Sequence, residues 1–172
     1  QLLLLLPASL FLLPGLALLY ALACALRSER VPWKLVGAVV LATLAGLLIH
    51  PHRFDIFRLW YIQNVEVVLN VWRIPDEVVM GNEFFSVAGS VFLWDTVLVL
   101  LCVFLVLLGM LLRGVAASLR TLYLFLVSCG FLVLFLNIPR FIEYWVPFTV
   151  LFAALAARDL LAGFDARGWL RR

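Results

Sequence analysis

The chain has 172 residues, of which 66% are hydrophobic and only 13% are charged, and its formal net charge is +3. With a mean hydropathy of +1.15, it has too few polar residues to cover the surface of a soluble domain of this length. The basic residues cluster at the ends of apolar runs, so the small positive charge does not indicate a nucleic-acid partner. The composition indicates an integral membrane protein with lipids as its surroundings.

Five apolar runs are the main feature of the sequence, and a bilayer crossing takes about 20 residues. Because the runs are apolar all round, they predict helices and not the alternating strands of a barrel. The predicted fold is therefore all-α, a polytopic transmembrane helical bundle of about five spans with one extracytoplasmic amphipathic helix between spans two and three. The predicted spans are Leu3–Leu26, Leu35–Ile49, Leu93–Leu112, Leu119–Leu136 and Phe141–Leu161.

The first span begins almost at once, because Gln1 is followed directly by a leucine run. No basic region precedes that run, so it does not have the pattern of a signal peptide. We expect residues 1–172 to form a single membrane domain from the C-terminal part of a longer protein. Pro7 and Pro14 predict a bent or late-starting first helix, and Val31 to Lys34 are expected to extend the short second one.

The lysines and arginines predict the orientation, because cytoplasmic loops are enriched in them. Four lie on the predicted outer side, namely Arg53, Arg58, Arg73 and Arg140. The larger set marks the cytoplasm and consists of Arg27, Arg30, Lys34, Arg113, Arg120, Arg158, Arg167, Arg171 and Arg172. The chain should therefore start outside and end in the cytoplasm, with residues 50–92 as an outer loop. This topology fits the inner (plasma) membrane of a bacterium.

The outer loop contains aromatic and apolar residues at steps of three and four, which predict an amphipathic helix of about 20 residues that stops before Pro75. The residues that set this spacing are Phe54, Phe57, Trp60, Tyr61, Val65, Val68 and Trp72. Such a helix either caps the bundle or lies on the membrane interface and walls a cavity open to lipid.

Several polar residues in the loop and just after it are candidates for lining a pocket: His50, His52, Glu83 and Asp95. Pro51 is expected to end the second helix between the two histidines. Asp95 is expected two residues into the third span, as an interfacial or first-turn carboxylate favoured by the helix dipole. Two histidines without a third placed ligand do not make a metal site, so no metal is assigned. No other cofactor is evident, although the sequence leaves a divalent ion open.

The most informative stretch joins the last two spans, where almost no loop is left between them. Pro139 is suited to the first turn of a helix. Arg140, Glu143 and Tyr144 are three and four residues apart, so they share one helical face near the outer membrane boundary. A guanidinium beside a helix N-terminus is well suited to bind phosphate. Pro147 has no N–H, so the carbonyl of Glu143 is expected to lack its usual hydrogen bond within the helix. The alternative is an Arg140–Glu143 pair that only anchors the helix at the headgroups.

These features together resemble the C-terminal membrane half of a GT-C-type glycosyltransferase of bacteria, the integral membrane class that uses polyprenyl-phosphate sugars. The stretch Arg140-Phe141-Ile142-Glu143-Tyr144-Trp145-Val146-Pro147 resembles an R-x-x-E-Y-x-x-P pattern that opens a late helix in that family. Two other features give weaker support. One is the His50-Pro51 pair that ends the second span and is followed by an aromatic amphipathic helix, and the other is the Gly81-Asn82-Glu83-Phe84 turn before the third span. Together these places cover about half of the chain.

The resemblance implies transfer of a sugar from a lipid-phosphate donor to an acceptor at the extracytoplasmic face. Arg140 would then contact the donor phosphate, and Glu143 and Tyr144 would orient it or line the pocket. The family's catalytic carboxylate belongs to a first extracytoplasmic loop that has no counterpart here. The catalytic residue is therefore expected in a missing N-terminal half, and residues 1–172 alone are expected to be inactive.

Other functions fit the same composition. A transporter or channel subunit would place polar residues along a path through the spans, whereas the ionisable residues here gather on the outer side. A non-enzymatic membrane scaffold would need Arg140 and Glu143 only as a helix anchor. Polymerases and ligases of surface polysaccharide share the lipid-phosphate donor chemistry, so the sequence does not separate them from the transferase.

Overall fold

A computed structural model describes residues 2–51, 53–62, 89–137 and 141–162 of the chain. Within these residues the fold is all-α, as predicted, and contains no strand. The six described helices are α1 (Leu2–Leu26), α2 (Trp33–Ile49), α3 (Arg53–Tyr61), α4 (Gly89–Arg113), α5 (Leu119–Asn137) and α6 (Ile142–Ala162). The chain divides into two compact units, the first with α1 to α3 and the second with α4 to α6.

In the first unit α1 packs against α2, and α3 contacts both. The end of α1 is a Schellman motif, in which the N–H of Glu29 donates to the carbonyl of Cys24 at 2.9 Å and the N–H of Ser28 donates to that of Ala25 at 3.0 Å. Ser28 has a φ of 56°, the left-handed conformation that this motif requires just after a helix. The motif satisfies the last carbonyls of α1 and turns the chain back toward α2.

The end of α2 is determined by a proline, as the sequence predicts. Proline restricts the residue before it to extended backbone angles, and His50 has φ −68° and ψ 129°. The N–H of His50 still donates to the carbonyl of Gly46 at 3.1 Å. The helix therefore ends at Ile49, and α3 begins again at Arg53 after the turn at Pro51.

In the second unit α6 packs against both α4 and α5. Met110 of α4 and Phe152 and Ala156 of α6 are buried together in its core. A Cβ atom built on Gly109 would lie 2.8 Å from Cδ2 of Leu160. A side chain at this position would require Leu160 to shift, so Gly109 leaves room for the Leu160 side chain between α4 and α6.

The end of α4 repeats the Schellman motif of α1. The N–H of Gly114 donates to the carbonyl of Leu111 at 3.2 Å, and that of Val115 donates to Met110 at 3.0 Å. Gly114 has a φ of 63°, which glycine adopts without the steric cost of a side chain. Val115 packs against the Met110 core, the apolar contact that often accompanies this motif.

Three described helices are long and apolar enough to cross a membrane: Thr96–Arg113, Leu119–Leu136 and Ile142–Ala162. They coincide with the last three predicted spans and are compatible with an integral membrane protein. Two shorter apolar helical stretches are Leu12–Leu26, which is part of α1, and Trp33–Ile49, which is α2. The total of five spans therefore stays a prediction.

Some predicted helix starts were wrong. The first helix does not start late, because α1 is helical from Leu2 despite its prolines, which membrane helices tolerate. The second starts at Trp33, within the expected extension of its span by Val31 to Lys34. The third, α4, starts at Gly89, inside the predicted outer loop 50–92. Asp95 therefore lies in the second turn of α4 and is not a first-turn carboxylate.

The predicted amphipathic helix begins where expected, since α3 covers Arg53–Tyr61. Residues 63–88, which include its second half, lie outside the described residues. Within α3 the aromatic residues Phe54, Phe57 and Tyr61 are exposed, and so are Asp55 and Arg58.

Candidate functional site

The predicted phosphate-binding site lies at the start of α6, and the structure describes part of it. Arg140, the predicted phosphate ligand, lies outside the described residues. Glu143 lies in the first turn of α6, where the positive end of the helix dipole favours a carboxylate. Glu143 and Tyr144 are both exposed, and Tyr144 retains 37% of its accessible surface.

The burial of Trp145 explains why these two side chains are exposed. Trp145 is only 2% exposed, and its ring stacks on that of Phe135 with 5.4 Å between the centroids. It also lies 6.2 Å from the ring of Phe92. Successive helical residues are rotated by about 100° around the axis. With Trp145 facing the core of the second unit, Tyr144 and Glu143 are turned away from it.

Tyr144 belongs to an aromatic group that we call the Phe131 cluster: Phe131, Phe141, Tyr144 and Phe148. Phe131 of α5 is buried and stacks on Tyr144 at 5.5 Å and on Phe148 at 5.3 Å, with interplanar angles of 14° and 9°. Phe141 lies 6.4 Å from Phe131 in a tilted arrangement. Aromatic pairs at such distances stabilise packing by about 0.5–1.5 kcal/mol beyond their buried area. The cluster therefore holds the ring of Tyr144 in place at an exposed position.

One exposed strip of α6 continues from these residues, and we call it the Glu143 face: Glu143, Tyr144, Pro147, Val150 and Leu151. All five side chains are exposed, and their spacing places them on one side of the helix. Pro147 lies inside α6 and has no N–H to donate to the carbonyl of Glu143. The face thus combines a carboxylate, a phenol and a backbone acceptor at its start with an apolar surface further along.

The structure describes the helix positions of two of the four other candidate pocket residues. His50 caps the end of α2 in the first unit. Asp95 lies in α4 of the second unit. His52 and Glu83 lie outside the described residues. The role of these four residues therefore stays a prediction.

A second polar group, which the sequence analysis missed, lies at the opposite end of α5. We call it the Asp159 cap: Ser118, Thr121, Arg158 and Asp159. Oδ2 of Asp159 accepts hydrogen bonds from the backbone N–H of Ser118 at 2.8 Å and from Oγ1 of Thr121 at 2.6 Å. Oδ1 of Asp159 pairs with Nη2 of Arg158 at 2.8 Å, and the side chains are 10% and 53% exposed respectively.

The Asp159 cap is a helix N-cap completed by a neighbouring helix. Ser118 precedes α5, and its Oγ accepts from the N–H of Thr121 at 3.4 Å, as an N-cap serine does. In a capping box, a residue of the same helix binds the N–H of the cap residue. Here Asp159 of α6 takes that role and places a negative charge at the positive end of the α5 dipole. The arrangement is structural, since it satisfies donors that would otherwise be left unpaired.

Sequence signals for this group existed. Ser118 directly before an apolar run is an N-cap signal, and Asp159 interrupts an apolar segment, where ionisable residues need a partner. The spacing gave no indication that the two residues meet. They are 41 positions apart.

Four hydroxyl groups in the described helices form hydrogen bonds within their own unit. Ser128 of α5 and Thr149 of α6 share a buried hydrogen bond. The hydroxyl of Thr43 donates to the carbonyl of Val39 at 2.9 Å, and that of Thr96 donates to the carbonyl of Phe92. Within the described part of the chain, no buried side-chain N or O atom lacks a partner.

Among the described residues, no three histidine, cysteine, aspartate or glutamate side chains lie close enough together to hold a metal ion. Comparison with protein-family models, curated proteins and solved structures gave no match to this chain. The resemblance to the GT-C class thus rests on the residues named above.

Proposed function

We propose that this chain is the C-terminal membrane portion of a glycosyltransferase that moves a sugar from a polyprenyl-phosphate donor to an acceptor at the extracytoplasmic face. The observation that supports this proposal best is the Glu143 face. It presents a carboxylate and a stacked tyrosine, three and four residues after Arg140, at the start of a helix that is long enough to cross a membrane.

The chemistry of such a donor matches the composition of this face. Its phosphate would bind Arg140, because a guanidinium forms two parallel hydrogen bonds with phosphate oxygens. Glu143 would orient the guanidinium from one turn away. The polyprenyl chain would lie along Val150 and Leu151, which are exposed and apolar. Tyr144, whose ring is held by Phe131, would line the pocket at the level of the phosphate.

Arg140 would also assist the transfer itself. The bond between the sugar anomeric carbon and the phosphate oxygen breaks while the acceptor oxygen bonds to that carbon. The leaving polyprenyl phosphate gains negative charge in this step, and a fixed guanidinium stabilises that charge. The acceptor must lose a proton to a base, which the resemblance places in an extracytoplasmic loop without a counterpart in this sequence.

In the proposed orientation the start of α6 faces the outside of a bacterial inner membrane, and the turns after α1 and α4 face the cytoplasm. The positive-inside pattern supports this assignment, since Arg27, Arg30 and Arg113 belong to or border those turns. The satisfied hydroxyls within the spans argue against the alternative of a channel or transporter subunit, which needs polar groups free to meet a solute.

The test is binding of polyprenyl phosphate to the chain in lipid nanodiscs, measured by titration with a fluorescent polyprenyl phosphate. We expect Arg140→Ala to weaken binding about 10- to 100-fold, the loss expected for a charged hydrogen-bonding partner. Arg58→Ala is the matched control, because Arg58 is an exposed arginine of α3 on the same proposed side. It should leave the affinity unchanged.

A second ligand separates phosphate recognition from a general effect of the substitution. Polyprenol, which has the same chain without the phosphate, should bind Arg140→Ala and the unmodified chain equally. The proposal is refuted if Arg140→Ala binds polyprenyl phosphate as the unmodified chain does. It is also refuted if Arg58→Ala weakens binding as much. A loss of thermal stability in Arg140→Ala with unchanged binding would support the anchor role instead.

A further inference from the structure

The ring of Tyr144 packs on a residue of a different helix. Phe131 of α5 is only 4% exposed, and it stacks on Tyr144 with 5.5 Å between the ring centroids and an interplanar angle of 14°. Phe131 also stacks on Phe148 at 5.3 Å, so its own ring is held by two contacts with α6. A buried ring of α5 therefore restricts the orientation of an exposed ring of α6.

The ring of Tyr144 is directed toward the start of α6. Aromatic side chains in a helix lie over the turn that precedes their own Cα atom, and the rings of Tyr144 and Phe141 are 6.3 Å apart. Phe141 directly follows Arg140 in the sequence. Tyr144 retains 37% of its accessible surface, so part of its side chain is open to a ligand near the predicted phosphate ligand.

We propose that Phe131 is a positioning residue of the donor site, which holds the Tyr144 hydroxyl where it donates a hydrogen bond to the donor phosphate. The inference rests on the proposed function, from which it takes the lipid-phosphate donor. A phenol is a hydrogen-bond donor, and its bond to an anionic oxygen is stronger than one between neutral groups. A ring that is fixed in advance loses less conformational entropy on binding. The donor site therefore extends from α6 to α5.

The test is a double-mutant cycle on the binding of fluorescent polyprenyl phosphate to the chain in lipid nanodiscs. Tyr144→Phe keeps the ring and removes the hydroxyl, and it should weaken binding about tenfold, as expected for a hydrogen bond to a charged group. Phe131→Leu removes the stacking and should weaken binding about two- to tenfold, the factor that corresponds to one aromatic pair. In the Tyr144→Phe background, Phe131→Leu should have no further effect. A residue that serves only packing lowers the affinity equally in both backgrounds.

Phe125→Leu is the matched control. Phe125 of α5 pairs with Phe152 of α6 at 5.2 Å, so this variant also loses an aromatic contact between the same two helices. Phe125 lies six positions before Phe131, which is about 9 Å along the helix axis, and it packs against the Met110 core. The variant should leave the affinity for polyprenyl phosphate unchanged. Polyprenol, which lacks the phosphate, should bind all of these variants equally.

A measurement without ligand checks the ring contact itself. In the chain labelled with fluorotyrosine, the fluorine NMR signal of Tyr144 is identified by its loss in Tyr144→Phe. That signal should shift in Phe131→Leu, because the neighbouring aromatic ring is gone, and should stay in place in Phe125→Leu. Phe131→Met removes the same ring and replaces Phe131→Leu if that variant does not fold.

The positioning role is overturned if Phe131→Leu leaves binding unchanged, if it weakens binding equally with and without the Tyr144 hydroxyl, or if Phe125→Leu weakens binding as much. In each case the effect of Arg140→Ala shows which proposal has failed. If Arg140→Ala still weakens binding of polyprenyl phosphate, the positioning role alone is wrong. If Arg140→Ala binds it normally, the proposed function is wrong as well.

Discussion

Replacing Asp159 tests whether the start of α5 depends on a carboxylate from α6. Asp159→Ala removes two hydrogen bonds to a charged acceptor, those from the Ser118 N–H and the Thr121 hydroxyl. Bonds of this type contribute about 1.5–3 kcal/mol each, but Ser118 and Thr121 also bond to each other at 2.9 Å and retain that contact. We therefore expect the free energy of unfolding to fall by about 2–4 kcal/mol. Asp159→Asn keeps one acceptor oxygen, so it should lower the free energy of unfolding by about half as much.

Arg158→Gln is the matched control for that change. Its side chain is 53% exposed, and exposed ion pairs contribute about 0–1 kcal/mol. Unfolding in SDS, followed by tryptophan fluorescence, gives the free energies. Hydrogen exchange adds a local readout, since Asp159→Ala should expose the amide of Ser118 to exchange while Arg158→Gln should not. The reasoning fails if Asp159→Ala stays within about 0.5 kcal/mol of the unmodified chain, or if both variants lose the same free energy.

Two further predictions concern the packing of the spans and their orientation. Ser128→Ala and Thr149→Val should each lower the free energy of unfolding by about 1 kcal/mol, because each leaves a buried hydroxyl without its partner. The double variant should lose less than the sum of the two, and additive losses in SDS unfolding would contradict the shared hydrogen bond. In a cysteine-free background, Glu77→Cys should react with an impermeant maleimide added to intact cells, and Glu29→Cys should react only after lysis. The reverse labelling pattern would overturn the proposed orientation.

The helices were predictable because apolar runs in this chain are bounded by residues with strong local preferences. α5 starts after a capping serine, and its predicted start at Leu119 is confirmed. α2 ends before His50-Pro51, where proline stops the helix locally. The start of α4 was predicted too late, because Gly89 and Ser90 have weak helix propensity and their sequence has the composition of a loop. The structure extends the helix through them all the same.

The side-chain arrangement of the second unit was much less predictable. α6 is apolar on most of its circumference, so its sequence does not show which face is buried. The neighbouring aromatics Tyr144 and Trp145 look alike in the sequence, yet one is exposed and the other is buried against Phe135. The candidate donor site was predicted from a local pattern, Arg140 to Pro147. The Asp159 cap could not be found this way, because it joins residues that are distant in the chain.

The separation of Ser118 and Asp159 in the chain determines when the hydrogen bonds of the Asp159 cap can form during synthesis. Asp159 follows Ser118 by 41 residues, which corresponds to about 2–8 s of synthesis at 5–20 residues per second. During that interval the start of α5 has only the hydroxyl of Ser118 as its cap. The carboxylate arrives with the last turn of α6, so the first turn of α5 gains its full set of hydrogen bonds only after α6 has been made and has packed beside it.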